Sequence, residues 1–322
     1  MIHRMSPIGV LRLDGIPAAR LAAMSRGALD RVLQQPAELV LATSSDEAVV
    51  LGAQQRASEL TGELDANVPL LRRGSGGAEV RVGRGTLWMQ LALERSDVLV
   101  ACEPSRLLNR HVRPVLRALT KVGALAHYFD RDWISVAKRP IGMIALSHDA
   151  GTRRALVEIV LGITTPFAVR MRPSYLGKPT ATLAELGIDV ALARLGDAIA
   201  LAHAAAYGAT LVELSPDDAG ALLDADDPRG EPPWTATRDE AIGVVGAGRD
   251  QTGRMRLGGE LMVSRDALAA LEVELVTAEP AAVGRAVDAT LGAPGVALVG
   301  VRSLLSLRDV ILAAQPAHVV AQ

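Results

Sequence analysis

The stretch Leu70-Leu71-Arg72-Arg73-Gly74-Ser75-Gly76-Gly77 constrains this chain more than any other. Three glycines within four residues stop any helix, and they permit the tight turns and close backbone approaches that a side chain would block. The run Val80-Arg81-Val82-Gly83-Arg84-Gly85 follows, so two short extended segments flank the turn. Arg72 and Arg73 add planar, permanently charged forks that suit a carboxylate or a phosphate. On these residues alone two readings stay open: a surface hairpin with solvated arginines, or an anion-binding turn.

The chain has 322 residues, 49% of them apolar, enough for one large domain or two modest ones. Its formal charge of −2, with no basic or acidic block, gives no sign of a nucleic-acid surface. No apolar stretch is long enough to span a bilayer, and Met1 to Pro7 lacks the apolar core of a signal peptide. The single cysteine, Cys102, excludes an internal disulfide and a cysteine-only metal site. These features lead to the expectation of a cytoplasmic protein.

Apolar spacing predicts a helix within 14–34 and a β-hairpin from Leu39–Ala42 and Ala48–Gly52 across Thr43–Glu47. A short helix is expected at 57–65, a buried strand at Leu87–Leu93, and a helix at Arg106–Val122 closed by Gly123. Ala124–Tyr128 and Trp133–Val136 read as paired strands. Lys138-Arg139-Pro140 reads as a turn, with further strands at Ile141–Leu146 and 153–163. A short helix at 182–187 and a long one at 189–207 follow. Pro, Gly and five aspartates then mark a linker, after which strands and three helices make a small α+β unit. The expected domains are 1–215 and 234–322, joined by 216–233.

The opening stretch resembles the signature of the lipoate–protein ligase family, Arg-Arg-x-Ser-Gly-Gly-Gly-Ala-Val-(aromatic)-His-Asp-x-Gly-Asn. It aligns without gaps from Arg72 to Thr86. Gly52-Ala53-Gln54-Gln55 looks like the family's upstream Gly-Arg-x-Gln. Asp130 to Val136 looks like its Gly-Arg-Asn-Asp-Leu segment, with Asp132 on the aspartate, and Ala137 to Gly142 like its Gly-(Arg/Lys)-Lys-Ile-x-Gly turn, which carries the central lysine. Gly177–Leu186 looks like its threonine–leucine segment. The resemblance covers about residues 15–210 and, more weakly, 253–275.

The resemblance implies an α/β (α+β) fold of the class II biotin/lipoate ligase type: a mixed, mostly antiparallel sheet flanked by helices, plus a small C-terminal domain. It implies an enzyme that uses ATP and Mg²⁺ to turn lipoate or a similar carboxylic acid into an acyl-adenylate. The acyl group would pass to a lysine of a lipoyl-type carrier domain or a glycine cleavage H-like protein. Lys138 would be the catalytic lysine. Arg72, Arg73, Ser75, Gly76, Gly77, Ala78, Asp132 and Gly142 would bind substrate and adenylate, and Thr86 would sit near metal and phosphate.

Several positions depart from the signature. Ala78 replaces its third glycine, Glu79 its alanine, Val82-Gly83 its His-Asp pair and Thr86 its asparagine. The lysine turn carries an extra residue before Ile141. Glu79 would need a partner, with Arg81 or Arg84 as candidates, or would select a more polar ligand. A second function therefore stands beside the ligase: a ligand-binding or regulatory protein of the same fold that has lost the chemistry. A cysteine-independent octanoyl transferase is a third. Cys102 precedes the lysine turn and ends an apolar run, which suits an inert thiol. Val244–Gly248 mimics the start of a dinucleotide fingerprint without its third glycine, and the six histidines show no metal spacing. His148-Asp149 reads as a loop pair, facing either the site or solvent.

Overall fold

Residues 6–60, 65, 67–129, 132–216 and 228–315 are described in a computed structural model of the chain. In order, β1 (Ile8–Ile16) leads to α1 (Ala18–Gly27), β2 (Ala37–Ser44), β3 (Ala48–Leu51), β4 (Leu70–Arg72), β5 (Val80–Val82) and β6 (Thr86–Leu93). Then come α2 (Leu107–Lys121), β7 (Ala126–Tyr128), β8 (Trp133–Val136), β9 (Arg139–His148), β10 (Ala155–Gly162), α3 (Leu192–Tyr207) and β11 (Leu211–Glu213).

Eight of these strands form one sheet in the order β11-β1-β2-β6-β10-β9-β8-β7. Strand β1 runs parallel to both neighbours, and every other pairing is antiparallel. Strands β2, β6 and β10 are buried along their whole length. That explains their nearly continuous apolar sequence, since both faces are covered. Helices α2 and α3 cover one face, with Val112, Leu119, Leu195 and Ile199 meeting Leu39, Met89 and Ile159. On the other face Leu21 of α1 packs with Trp88, Trp133, Phe167 and Tyr175. A small sheet, β4-β3-β5, carries the glycine-rich turn over that second face.

Two local expectations are corrected. The runs around residues 39 and 51 are not a hairpin: β2 belongs to the large sheet and β3 to the small one. Asp46 accepts the Ala18 amide at 2.8 Å, which anchors residues 43–47 to the start of α1 as the chain crosses between sheets. The short helices at 57–65 and 182–187 are single 3₁₀ turns at Ala57–Leu60 and Ala184–Leu186, residues 61–64 lying outside the described set. Helices α2 and α3 match expectation, and Gly123 closes α2 with a φ of 92°.

The C-terminal part comprises β12 (Ala236–Asp239), β13 (Val244–Arg249), β14 (Met255–Gly259), β15 (Met262–Val263), α4 (Arg265–Glu274), α5 (Pro280–Leu291), β16 (Leu298–Val299) and α6 (Leu304–Ala314). It has its own core, in which Val245, Leu257, Leu271, Val287 and Ile311 meet. The Gly-x-Gly of residues 246–248 lies within β13, paired on both sides, and the Trp234 ring stands where a Cβ of Gly246 would be. Of the expected linker, residues 217–227 lie outside the described set. Residues 231–233 pack on the N-terminal part through Glu231 to Arg72 and the carbonyls of Pro232 and Pro233 to Arg56.

Candidate functional site

The glycine-rich turn between β4 and β5 is held from within. Arg73 is fully buried and folds back over its own loop. Its Nε donates to Ser75 Oγ at 2.9 Å, its Nη2 to the Gly76 and Ala78 carbonyls at 2.6 and 2.7 Å, and its Nη1 to the Val50 carbonyl at 3.2 Å. Burial pushes this guanidinium down to about 10, and Glu158, 4.0 Å away, opposes that shift. Glu158, fully buried on β10, accepts from Ser25 Oγ, the Ser75 amide and Trp88 Nε1 at 2.8, 3.2 and 2.8 Å. Nothing in the local sequence around Glu158 marks it as the counter-charge of Arg73, from which it is remote in sequence.

The three glycine amides of the turn each meet a protein acceptor. Gly74 donates to Ser25 Oγ at 2.7 Å, Gly76 to the Leu146 carbonyl at 3.0 Å and Gly77 to the Leu261 carbonyl at 3.2 Å. The glycines make these approaches possible. A Cβ on Gly74 would collide with the Ser25 carbonyl, and one on Gly76 with the Leu261 carbonyl, while Gly77 has a φ of 80°. Arg72 also serves its own chain: it donates to the carbonyls of Gly52, Ala53 and Gln55 and to Glu231.

Glu79 is buried and pairs with neither Arg81 nor Arg84. Those two bind Glu47 and the Ser45 carbonyl. Glu79 instead accepts from Gln55 Nε2 and Arg170 Nε, both at 2.8 Å. Arg170 Nη2 reaches Glu260 Oε1 at 3.0 Å, and Arg172 Nη2 donates to Glu260 Oε2. Arg172 Nη1 meets Asp132 Oδ2 at 2.6 Å. The result is a chain Glu79–Arg170–Glu260–Arg172–Asp132, buried except at a partly exposed Arg170, in which Glu260 comes from the C-terminal part. Burial raises the Glu260 carboxyl to about 7, against the pull of Arg172. Burial also works against the Arg172 charge, yet Asp132 and Glu260 hold that guanidinium well above its ordinary value. Removing one member of such a chain leaves an uncompensated charge, so the members stand together.

The remaining predicted residues are dispersed. Lys138 is exposed at the tip of the β8–β9 hairpin, where Ala137 and Lys138 have φ of 48° and 64°. Gly142 lies inside β9, against the Val160 carbonyl and Leu161. Thr86 Oγ1 donates to the Gly83 carbonyl at 2.9 Å and accepts its amide at 3.0 Å, closing its own turn. Asp132 alone of the downstream residues joins the charged chain, through Arg172. His148 and Asp149 are both buried: His148 Nδ1 bonds Ser264 Oγ at 2.8 Å and Asp149 meets Arg265 at 3.3 Å, so the pair ties β9 to the C-terminal part. Cys102 is half-buried, and burial raises its thiol.

Among the described residues no three His, Cys, Asp or Glu side chains are grouped to hold a metal ion. Thr86 closes its own turn, and the amides of Gly74, Gly76 and Gly77 are donated within the protein. Against residues 53–56 and Arg72 lies a cavity of about 520 Å³, closed by Glu231, Trp234, Asp250 and Arg256. Its arginines are engaged: Arg56 stacks 3.6 Å over Trp234, and Arg256 binds Asp250 and Glu272.

No family profile and no curated protein matches the sequence. Solved structures do. Over 94% of this chain and 98% of the other, it superposes on P. falciparum LipL1 in complex with lipoate, with a TM-score of 0.62 and 12% identity. This chain has the lipoate–protein ligase fold. A bi-partite lipoate protein ligase from Thermoplasma acidophilum gives a TM-score of 0.53 at 15% identity, over 66% of this chain and 89% of that one. A lipoate–protein ligase A bound with ATP gives 0.53 at 15% identity, over 66% and 91%. At such identities the likeness establishes the fold, and what the lipoate-ligase scaffold does here has to be argued from its side chains.

Proposed function

We propose that this chain is a ligand-binding or regulatory protein of the lipoate-ligase fold that has given up adenylation through Lys138. One observation carries the reading: the hairpin tip. Two consecutive residues with positive φ form a turn that favours glycine or asparagine, and the family's turn has a glycine before its Arg/Lys-Lys-Ile. Setting Lys138 on that glycine removes the extra residue noted in the sequence. Arg139 then meets the Arg/Lys position, Pro140 the lysine and Ile141 the isoleucine, while the motif's closing glycine falls on Met143 and Gly142 on its variable position. Pro140 pairs with Ser135, two residues along β8 from Trp133 and just past a register irregularity, on the side of the sheet where Trp133 packs with Leu21 and Trp88. A proline there has no ammonium to draw a carboxylate and an α-phosphate together. The engaged glycine amides agree with this reading.

A second reading keeps the chemistry: a lipoate–protein ligase using ATP and Mg²⁺ on lipoate and a lipoyl-type carrier domain. Its support is the likeness to LipL1 across both parts of the chain. ATP–pyrophosphate exchange with lipoate, octanoate and shorter carboxylic acids separates the two. Exchange at background level is expected. Exchange above background that Lys138→Ala abolishes would overturn the proposal in favour of the ligase.

A further inference from the structure

Helix α2 carries a stripe of arginines with no paired carboxylate among the described residues. Arg106 at its start and Arg110, Arg113 and Arg117 within it fall inside about 60° of arc on the helix surface. The helix itself holds no acidic residue. Among the described residues the guanidiniums of Arg106, Arg110 and Arg117 meet no acceptor, and that of Arg113 reaches only Asn109 Oδ1, at 2.9 Å. No run of basic residues announces the stripe in the sequence, because other residues separate each arginine from the next.

The fold gains nothing from this placement. Like charges three and four residues apart repel on a helix. Arg106 and Arg110 also stand at the end where the helix dipole is positive. The backbone beneath them is nonetheless held. Pro114 leaves the Arg110 carbonyl without its helical donor, and the Tyr207 hydroxyl of α3 supplies one at 3.2 Å. Arg106, Arg110 and Arg113 then converge on a cavity of about 470 Å³, a size that takes a small molecule. Ser105 adds a hydroxyl to its wall, Tyr128 of the edge strand β7 a ring, and Val299 of the C-terminal part an apolar side. Arg110 and Arg113 also border a second hollow of about 290 Å³, toward Arg117 and Tyr207. Among the described residues no acidic side chain lines either one.

We propose that the larger cavity binds a phosphorylated small molecule, a phosphate monoester held by Arg106, Arg110 and Arg113 with its organic body against Tyr128 and Val299. Such a phosphate brings nearly two negative charges and three acceptor oxygens to one point. Planar guanidinium forks suit those oxygens, and several arginines can share them. A carboxylate engages one fork and leaves the others unmatched. The concave seat and its ring wall favour a small molecule over a flat acidic partner. The site lies across the large sheet from the glycine turn, since α2 covers the other face. It therefore stands apart from the question of adenylation. Because Val299 comes from the C-terminal part, the occupant touches both parts of the chain.

The test uses the full chain at low ionic strength, with phenyl phosphate, inorganic phosphate and benzoate as probes, by titration calorimetry. Phenyl phosphate should bind more tightly than inorganic phosphate, and at least about tenfold more tightly than benzoate. Arg110→Gln and Arg113→Gln should each weaken phenyl phosphate by about tenfold or more. Arg117→Gln, outside the cavity wall, should change it by less than about threefold. Thermal melting gives a second measurement. Arg110→Gln should raise the midpoint of the ligand-free chain by relieving like-charge repulsion, and phenyl phosphate should raise the parent's midpoint more than the variant's. No binding of phenyl phosphate, equal binding of benzoate or inorganic phosphate, or equal weakening by Arg117→Gln would each overturn the proposal. A lower midpoint for ligand-free Arg110→Gln would show that the arginine serves the fold, and would overturn it as well. So would an oligothymidylate or a phosphatidic acid vesicle that binds where phenyl phosphate does not, since that marks an extended anionic partner.

Discussion

The Gly77 amide and the Leu261 carbonyl meet at 3.2 Å, joining the glycine turn of the N-terminal part to the strand connection of the C-terminal part. Gly76 faces the same carbonyl with no room for a Cβ. Gly76→Ala should therefore lower stability by about 1–3 kcal/mol, as overpacking does. Gly83→Ala, which meets only Thr165 at 3.9 Å, should stay within about 0.5 kcal/mol of the parent. Urea unfolding of the pair checks this, and equal midpoints would contradict the close approach.

Glu158 balances the buried Arg73 while holding Ser25, Ser75 and Trp88. Glu158→Gln removes the largest acidic influence on the guanidinium, leaving only Glu79 and Asp132. The expected cost is about 3–5 kcal/mol, with the Trp88 emission shifted as its hydrogen bond changes. A loss below about 1 kcal/mol would mean that Arg73 does not depend on Glu158.

Lys138 sits in the left-handed region at an exposed tip. Glycine enters that region without the steric penalty of a side chain, so Lys138→Gly should stabilise the fold by about 0.5–1 kcal/mol. Lys138→Ala should be close to neutral. A large loss in either variant would show that the lysine is engaged rather than solvated.

Stability should vary with pH in two opposed ways. Burial lowers His111 to about 3 and His203 to about 4. Below pH ~6.5 the unfolded chain takes up protons that these folded histidines refuse, so their contribution is lost as pH falls from ~6.5 toward 4. His203→Gln should flatten that acid limb. Burial raises Glu260 to about 7, so its contribution is present below pH ~4.5 and declines as pH rises toward 7. Glu260→Gln should remove the decline. Thermal midpoints from pH 4 to 8 resolve both limbs.

Helix α2 was legible in the sequence because its buried positions recur through four turns, and β6 because its apolar run is as long as a strand. The crossing at residues 43–47 was not, since two short apolar runs look the same whether they pair with each other or enter different sheets. Strand β1 was missed because a parallel strand between distant partners, with Ile8 beside Ala37 and Leu211, has no nearby turn to announce it. In the site, Arg72–Gly77 drew attention and the structure engages it. The charged chain Glu79–Arg170–Glu260–Arg172–Asp132 stayed hidden, because Arg172 and Glu260 meet across 88 residues and each looks like a solvated charge alone. Which residue occupies the tip of the lysine turn is fixed by the backbone angles at Ala137 and Lys138, which the residue types alone do not announce.

The packing around Gly74 and Gly76 bears on inheritance. Their missing side chains make room for Ser25 and Leu261, contacts within the fold itself. Selection for a folded chain is then sufficient to keep these glycines, even in a descendant that transfers nothing. In such a lineage the motif records ancestry, and the loss of chemistry is first written at positions the fold can spare, such as the tip of a hairpin.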